Sequence, residues 1–395
     1  MAVSLVVDFA TKAPCLARHG GSLPGYCYTD LQELFVARHL ALHVFPYVHG
    51  SYTRGTAGNV FFTRGEIEYP VLIGLFTWLT ALPVRTSDAF LLVNVAVLTT
   101  CGLLAAWLLA KMSGWRALVF AVAPGVLLYG FVNWDLLSVA VAVLGVYLWW
   151  RDKPYLAAGV FAVGGCVKLW PALLLVALVA DLLARQEPQR ALRAGVIAGA
   201  VAVGVNGPFM VANPRGWYAP FAFQAGLIDK GTGTSIWDWV GWGLSTHLVD
   251  VMALSCGLGA IGVVTAVAWR RARREGVFPF LQCSTATVLL FIVTSKDNSP
   301  QYVLWVLPFV ALVDVSPRLI LALYAVSASL EVNFIPVAVP DFVFFVIGFA
   351  QAAVLVLAAV DALGGRPVLF GDLADSGQPA SAWRLRAVLW PGVRG

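Results

Sequence analysis

Five short stretches set carboxylates, amides or amines against long apolar runs, where such groups are costly unless they have partners or a task. The first is CYTDLQELFVARHL, residues 27–40. Thr29 and Gln32 have capping-box spacing, which starts a helix at Asp30. Leu31, Leu34, Phe35, Arg38 and Leu42 then form one stripe, as on a helix lying at a membrane surface. Asp30, held in its first turn, either favours the helix N-terminus electrostatically or is a functional group at the lipid boundary. The second stretch, EIEYPVLIG, has Glu66 and Glu68 before Tyr69 and a helix-starting Pro70. Glu66 reads as a solvated flank and Tyr69 as either an interface anchor or a binding residue. In GFVNWDLLS, Asn133 and Asp135 fill a break with almost no loop, so Asp135 needs a partner. In GGCVKLWPALL, Lys168 is a lone cation ahead of Pro171, either snorkelling or paired with an acid or an anion. In VTSKDNSPQYVLWVLPFV, Lys296, Asp297, Asn298, Gln301 and Tyr302 crowd a break at which Pro300 starts a helix; its first amides suit an anion.

The apolar runs that must carry these breaks fall near 71–83, 89–110, 117–131, 134–150, 155–182, 191–211, 251–269, 278–294, 302–313, 318–330 and 342–363. Many reach the roughly 20 residues that a bilayer core requires. Residues 155–182 have to turn back near Lys168–Pro171, a broken hairpin. The chain divides into 1–13, the possible remnant of a first transmembrane helix; 14–70, an extracytoplasmic loop with the surface helix; 71–363, a transmembrane bundle with an outer Trp-rich loop at 212–249; and a cytoplasmic tail, 364–395. Its fold class is all-α: a polytopic bundle with about 10–12 membrane segments, some broken or re-entrant.

Composition agrees. Of 395 residues, 60% are hydrophobic and 12% charged, about half the charge of a soluble domain, and mean hydropathy is +0.81. Soluble enzymes, disordered tails and nucleic-acid-binding modules are excluded. Net charge is +5; the densest basic cluster, Arg270, Arg271, Arg273 and Arg274, with Arg185, Arg190, Arg193, Arg151 and Lys153, is expected in the cytoplasm. One parity problem follows. Residues 14–69 outside and Lys111/Arg116 inside need an odd number of crossings, yet 71–83 and 89–110 supply two. Either 71–83 is re-entrant or the loop at Lys111 breaks the rule. Cys15 and Cys27 lie twelve positions apart in the polar region, where an oxidising compartment permits a disulfide. There is no phosphate-binding Gly-rich loop and no zinc-type cluster, so neither metal nor cofactor is expected; His39, His43 and His49 read as surface histidines.

In order along the chain come the helix with its early Asp30, Arg38-His39-Leu40 followed by Pro46-Tyr47, Tyr69-Pro70-Val71-Leu72, the Asn133-x-Asp135 break, the Lys168-x-x-Pro171 hairpin and Ser299-Pro300-Gln301-Tyr302. This order resembles the GT-C polyprenyl-phosphate-sugar glycosyltransferases, specifically glycosyltransferase family 87 of actinobacteria, over roughly residues 25–335. Departures are a short first helix, His39 where a small residue is usual, and Tyr69-Pro70-Val71 for Tyr-Pro-Pro. The resemblance implies an inverting transfer of mannose or arabinofuranose from a polyprenyl-phosphate donor to a glycolipid or cell-envelope glycan, on the extracytoplasmic side of the plasma membrane. Asp30 would be the general base. Arg54, Arg64, Lys168, Lys230 and Lys296 are candidates to receive the leaving phosphate, and Glu68 and Asp135 to orient sugar hydroxyls or those cations. Tyr69, Asn133, Asn298, Gln301 and Tyr302 complete the expected binding site, and Trp237 and Trp239 are expected either to stack on sugar or to anchor the interface. The competing reading is a transporter or flippase of polyprenyl-linked sugars, which would show inverted repeats and midplane charges; no repeat is evident.

Overall fold

The computed structural model describes residues 1–17, 27–54, 60–227, 233–334 and 338–369. The chain is an all-α polytopic bundle. Ser87–Ala121, Pro188–Ala212, Thr246–Glu275 and Asp341–Gly364 are long and apolar enough to cross a bilayer, and shorter apolar helices pack among them. Their ends follow local chemistry. Thr86 and Ser245 cap the helices that follow them, accepting from Ala89 N and Leu248 N. Thr246–Glu275 stops at Gly276, whose φ of 75° suits a residue without a Cβ.

Burial separates core from rim. Every residue of Val303–Leu312 is buried, and Phe280–Thr294 is nearly so. Pro188–Ala212 instead exposes Leu192, Val196, Val203 and Val211. An apolar stripe on a helix edge that the protein leaves uncovered is the mark of a lipid-facing surface.

Hydrogen bonds show which loops share an end of the bundle. Asp30 N donates to Val132 O at 2.9 Å and Asn213 Nδ2 to Val48 O at 3.1 Å, so the polar N-terminal region, the 130–134 break and the start of the Trp-rich loop lie together. At the other end Arg116 binds the Val313 carbonyl, Arg271 those of Leu363 and Gly365, and Arg185 lies near Asp152. The hairpin at Lys168 is real: helices Pro154–Val167 and Leu174–Ala184 meet through the turn Trp170–Leu173.

The parity problem closes as well. Helix Val71–Ala81 returns to the end it left, because Trp78 donates to His43 O (3.0 Å), His43 Nε2 lies 3.1 Å from Ala81 O, and Gln32 donates to Asp88 Oδ1 at 2.7 Å. It is the re-entrant segment, and Ser87–Ser113 makes the single passage.

The polar N-terminal stretch holds a helix, Asp30–Ala37, and an antiparallel hairpin, Ser51–Arg54 with Val60–Arg64, in which Tyr52 faces Phe62. The helix starts where the sequence indicates, but no capping box forms. Thr29 Oγ1 accepts from Leu31 N, while the Gln32 amide is drawn away to Asp88. The helix also stops early: His39 and His43 adopt left-handed backbone at φ 52° and 53°, so Leu42 leaves the stripe and is exposed. The Trp-rich loop contains helices Pro214–Gly226 and Ile236–Val240, the second with a complete capping box from Ser235 and Asp238.

Candidate active site

Asp30 is the first residue of its helix, and its backbone is sewn to the 130–134 break. Besides the bond from its own N–H, the preceding Thr29 hydroxyl donates to Phe131 O at 2.7 Å. This brings the Asp30 carboxylate to Asn133. Asn133 Nδ2 donates to Asp30 Oδ2 at 2.6 Å and to Tyr69 Oη at 2.5 Å. Its Oδ1 accepts from Trp134 N at 2.6 Å and from Lys168 Nζ at 3.2 Å. Two donors on one side and two acceptors on the other fix the orientation of the amide. The other Asp30 oxygen accepts from the Tyr28 hydroxyl at 2.5 Å, and the Tyr28 ring stacks on Phe334 at 4.8 Å.

Behind Asn133 lies a buried ion pair. Lys168 Nζ donates to Asp135 Oδ1 at 2.7 Å, and Trp305 Nε1 reaches the same oxygen at 2.6 Å. The ammonium is ringed by Tyr69, Tyr302 and Trp305, with centroids 5.3, 6.0 and 5.7 Å away. Tyr302 stacks on Trp305 and donates to Asp297 Oδ2 at 2.5 Å. On the near side Glu68 is engaged bidentately by Arg38 at 2.8 and 2.9 Å. The Arg38 guanidinium in turn lies over Phe62 of the hairpin and near Phe223 of helix Pro214–Gly226. Hairpin and helix thus both reach the site through one guanidinium.

The electrostatics follow from burial. Burial pushes the Asp30 carboxyl up to about 6, and the Glu68 charge adds to that; the Tyr28 and Asn133 hydrogen bonds and the Lys168 charge pull it back. Asp30 is therefore ionised at neutral pH yet only about a unit from its neutral form, the range in which a carboxylate is an effective base. The Tyr28 hydroxyl is pushed upward, chiefly by burial and then by Asp30, and stays a donor.

The other expected residues are placed as follows. Lys296 lies in the 294–302 break, where it donates to Asp250 Oδ1 at 2.5 Å and to Ala225 O at 2.9 Å; no contact joins it to Asn133 or Asp30 among the described residues. Asn298 bridges Thr234 O and Gln351 Oε1. Gln301 is buried at the start of the core helix. Trp237 is buried and its indole donates to Thr294 O at 3.0 Å, so it fastens the Trp-rich loop. Trp239 binds Gly233 O and packs edge-on against Phe345. The side chains of Arg54 and Arg64, and all of Lys230, lie outside the described residues. Glu66 is not a solvated flank: it is fully buried, neither oxygen has a hydrogen-bond partner among the described residues, and burial pushes its carboxyl up to about 8. Cys15 and Cys27 are joined by a disulfide, with Cα atoms 5.6 Å apart.

Sequence reasoning passed over Tyr28, and gave Arg38 no role beyond its place in the helix stripe and in the Arg38-His39-Leu40 motif. Tyr28 sits two residues before Asp30 with no periodic signal, and Arg38 could have been flagged as a cation on an otherwise apolar stripe.

The profile of glycosyltransferase family 87 matches residues 68–295, more than half of the chain, and the chain belongs to that family, which has the GT-C fold. It is accordingly a glycosyltransferase, which sets the transporter reading aside. No curated protein and no solved structure matches the chain. The match starts at residue 68, so Asp30 and Tyr28 lie ahead of it while Asn133, Asp135 and Lys168 lie within it.

Proposed function

We propose that this glycosyltransferase transfers one mannose or arabinofuranose unit, with inversion, from a polyprenyl-phosphate donor to a hydroxyl of a glycolipid or cell-envelope glycan, and that Asp30 is its general base. The observation that carries the reading is the Asp30 carboxylate, positioned by two neutral donors and held at a pKa of about 6. In the step itself the acceptor O–H gives its proton to Asp30. The acceptor oxygen forms the new bond to the anomeric carbon, and the electron pair of the carbon–oxygen bond leaves with the lipid phosphate. Lys168 has two of its three N–H donors engaged, by Asp135 and Asn133; the third supplies positive charge to the departing phosphate. Glu68 and Arg38 orient sugar hydroxyls or anionic oxygens beside Asp30.

The reaction faces the extracytoplasmic side of the plasma membrane. Two features support this: the Cys15–Cys27 disulfide lies three residues from Asp30, in keeping with an oxidising compartment, and the Arg270–Arg274 cluster lies at the far end of the bundle. A cysteine replacing the exposed Trp242 is expected to react with an impermeant maleimide from outside intact cells, and one replacing Arg274 is not; the reverse pattern overturns the orientation.

For the chemistry, membranes containing the protein are incubated with radiolabelled polyprenyl-phosphate mannose or, separately, arabinofuranose. Wild type is expected to form labelled glycolipid and Asp30→Ala is not. Equal transfer by both proteins removes Asp30 from the role of base, and consumption of neither donor removes the proposed donor class.

A further inference from the structure

Asn133 fixes Asp30 only if the short break that carries it is itself fixed, and the structure shows what holds it. The Phe131 peptide is gripped on both edges. Thr29 donates to its carbonyl at 2.7 Å, and Asp8 Oδ2 accepts from its N–H at 2.7 Å. Asp8 is fully buried on helix Ala2–Lys12, which precedes the part of the chain that matches the family profile. The disulfide between Cys15 and Cys27 closes the chain between these two gripping residues into one covalent loop, so both arrive on a single tethered unit. Space around the contact is tight: a Cβ at Gly130 would meet Asp8 Oδ2 at 2.9 Å and Val126 O at 3.1 Å. The charged groups near Asp8 are Lys12, buried one turn later on the same helix, and Glu331 from the Leu330–Phe334 turn.

We propose that Asp8 is a positioning residue for the transfer reaction: by accepting the Phe131 N–H it sets the 130–134 break so that the Asn133 amide meets the Asp30 carboxylate. This rests on the reading of Asp30 as the base. Asp8 touches no reacting atom; its effect passes through Phe131 and Asn133. A buried N–H that loses its acceptor draws the loop toward another partner. A displacement of about 1 Å at the reacting centre costs on the order of a hundredfold in rate.

The test measures kcat, KM and the pH–rate profile of Asp8→Ala, Asp8→Asn and Gly130→Ala, with Asp30→Ala alongside. Asp8→Ala is expected to lower kcat on the order of a hundredfold with little change in KM. Its acid limb should move upward from about 6 by roughly one pH unit, because Asp30 loses the amide that favours its ionised form. Asp8→Asn, whose amide oxygen still accepts the Phe131 N–H, is expected to recover most of the lost rate and the original limb. Gly130→Ala perturbs the same contact from the other side and should reproduce the Asp8→Ala limb, which keeps the test decisive if Asp8→Ala does not accumulate in membranes. An unshifted limb in a folded Asp8→Ala or Gly130→Ala protein, with Asp30→Ala inactive, overturns the proposal while the base stands. Activity in Asp30→Ala overturns the base reading instead.

Discussion

The two ends of the bundle both bury charge, and they do so differently. At the end opposite Asp30, cations satisfy helix termini and nearby acids. Arg116 donates to Val313 O at 2.7 Å and Arg271 to Leu363 O at 2.6 Å. Asp181 accepts from Trp149 Nε1 and from Arg185, and Asp361 accepts from Ser316 N. Guanidinium forks set on the carbonyl ends of helices complement the helix dipoles and close the orphan acceptors there. At the Asp30 end Arg38 also pairs with Glu68, but the second cation, Lys168, is an ammonium inside an aromatic ring of three. Among the described residues its acid partner keeps one oxygen without a hydrogen-bond partner, and the Asp30 carboxylate beside it accepts from neutral donors. In the first arrangement these cations and acids satisfy one another and the helix ends, and they serve stability. The second holds charge in reserve, as a site does that has yet to meet its substrate.

The sharpest way to break that contrast compares two buried acids. Asp30→Asn is expected to lower sugar transfer by about 10²–10⁴-fold with the thermal midpoint in detergent nearly unchanged. Asp181→Asn should show the reverse, a lowered midpoint with normal transfer by the protein that remains folded. Transfer by Asp30→Asn within tenfold of wild type would mean that the two ends are not specialised as argued.

Second in size is the ion pair. Lys168→Met leaves Asp135 buried without its counter-charge, which costs about 3–5 kcal/mol. Arg185→Met at the other end likewise leaves a buried acid, Asp181, with only the indole of Trp149, as Asp135 keeps that of Trp305, so it should cost a similar amount. Adding Asp135→Leu to Lys168→Met removes the orphaned charge, so the double variant should regain thermal stability and remain inactive. A double variant that regains both assigns the pair to structure alone, like the arginines of the far end.

The contrast also explains what the sequence makes legible. Apolar runs mark the helices because lipid imposes a length and a composition on them. Asn133, Asp135 and Lys168 stand out because a polar residue between such runs has no cheap explanation. They meet through residues 33 and 35 positions apart, yet each is visible singly. Asp8 is hidden for the opposite reason: its partner is 123 positions away and is a backbone amide, which no side-chain pattern reports. The hairpin at 51–64 has strands of four and five residues with a register shift between Ser51 and Tyr52, too short and irregular for alternation to show. The capping-box spacing of Thr29 and Gln32 places the helix start correctly although tertiary partners claim both side chains.

Third, the pH dependence of transfer should report the donors around Asp30. The rate is expected to fall as pH drops through about 6, where the base is protonated. Tyr28→Phe removes a hydrogen bond that favours the ionised carboxylate, so the limb should move upward by about one unit. Conservative changes at the far end, such as Arg271→Lys, should leave the limb in place. A limb that stays put in Tyr28→Phe would show that the short bond to Asp30 does not tune the base.

The smallest expected effect concerns Glu66, which the sequence places in water and the structure buries. Its carboxylate lies against the backbone of Gly50 and Gly216, where a Cβ would come within 2.3 and 2.9 Å of its Oε1. No cation accompanies it among the described residues, and burial raises its pKa from an ordinary 4.5 to about 8. A raised carboxyl means that the folded protein binds the proton more tightly than the unfolded chain does. Its contribution to stability is therefore fully present below about 4.5 and is lost as pH climbs toward 8. Glu66→Gln replaces the neutral acid by a neutral amide and should leave the thermal midpoint unchanged near pH 5 while raising it above wild type at pH 8.5. Transfer activity should follow the midpoint and not the Asp30 limb. If Glu66 were instead the solvated acid that its position before Pro70 suggests, wild type and variant would melt together at both pH values. The polar end of the bundle would then contain one fewer group whose burial costs stability at neutral pH.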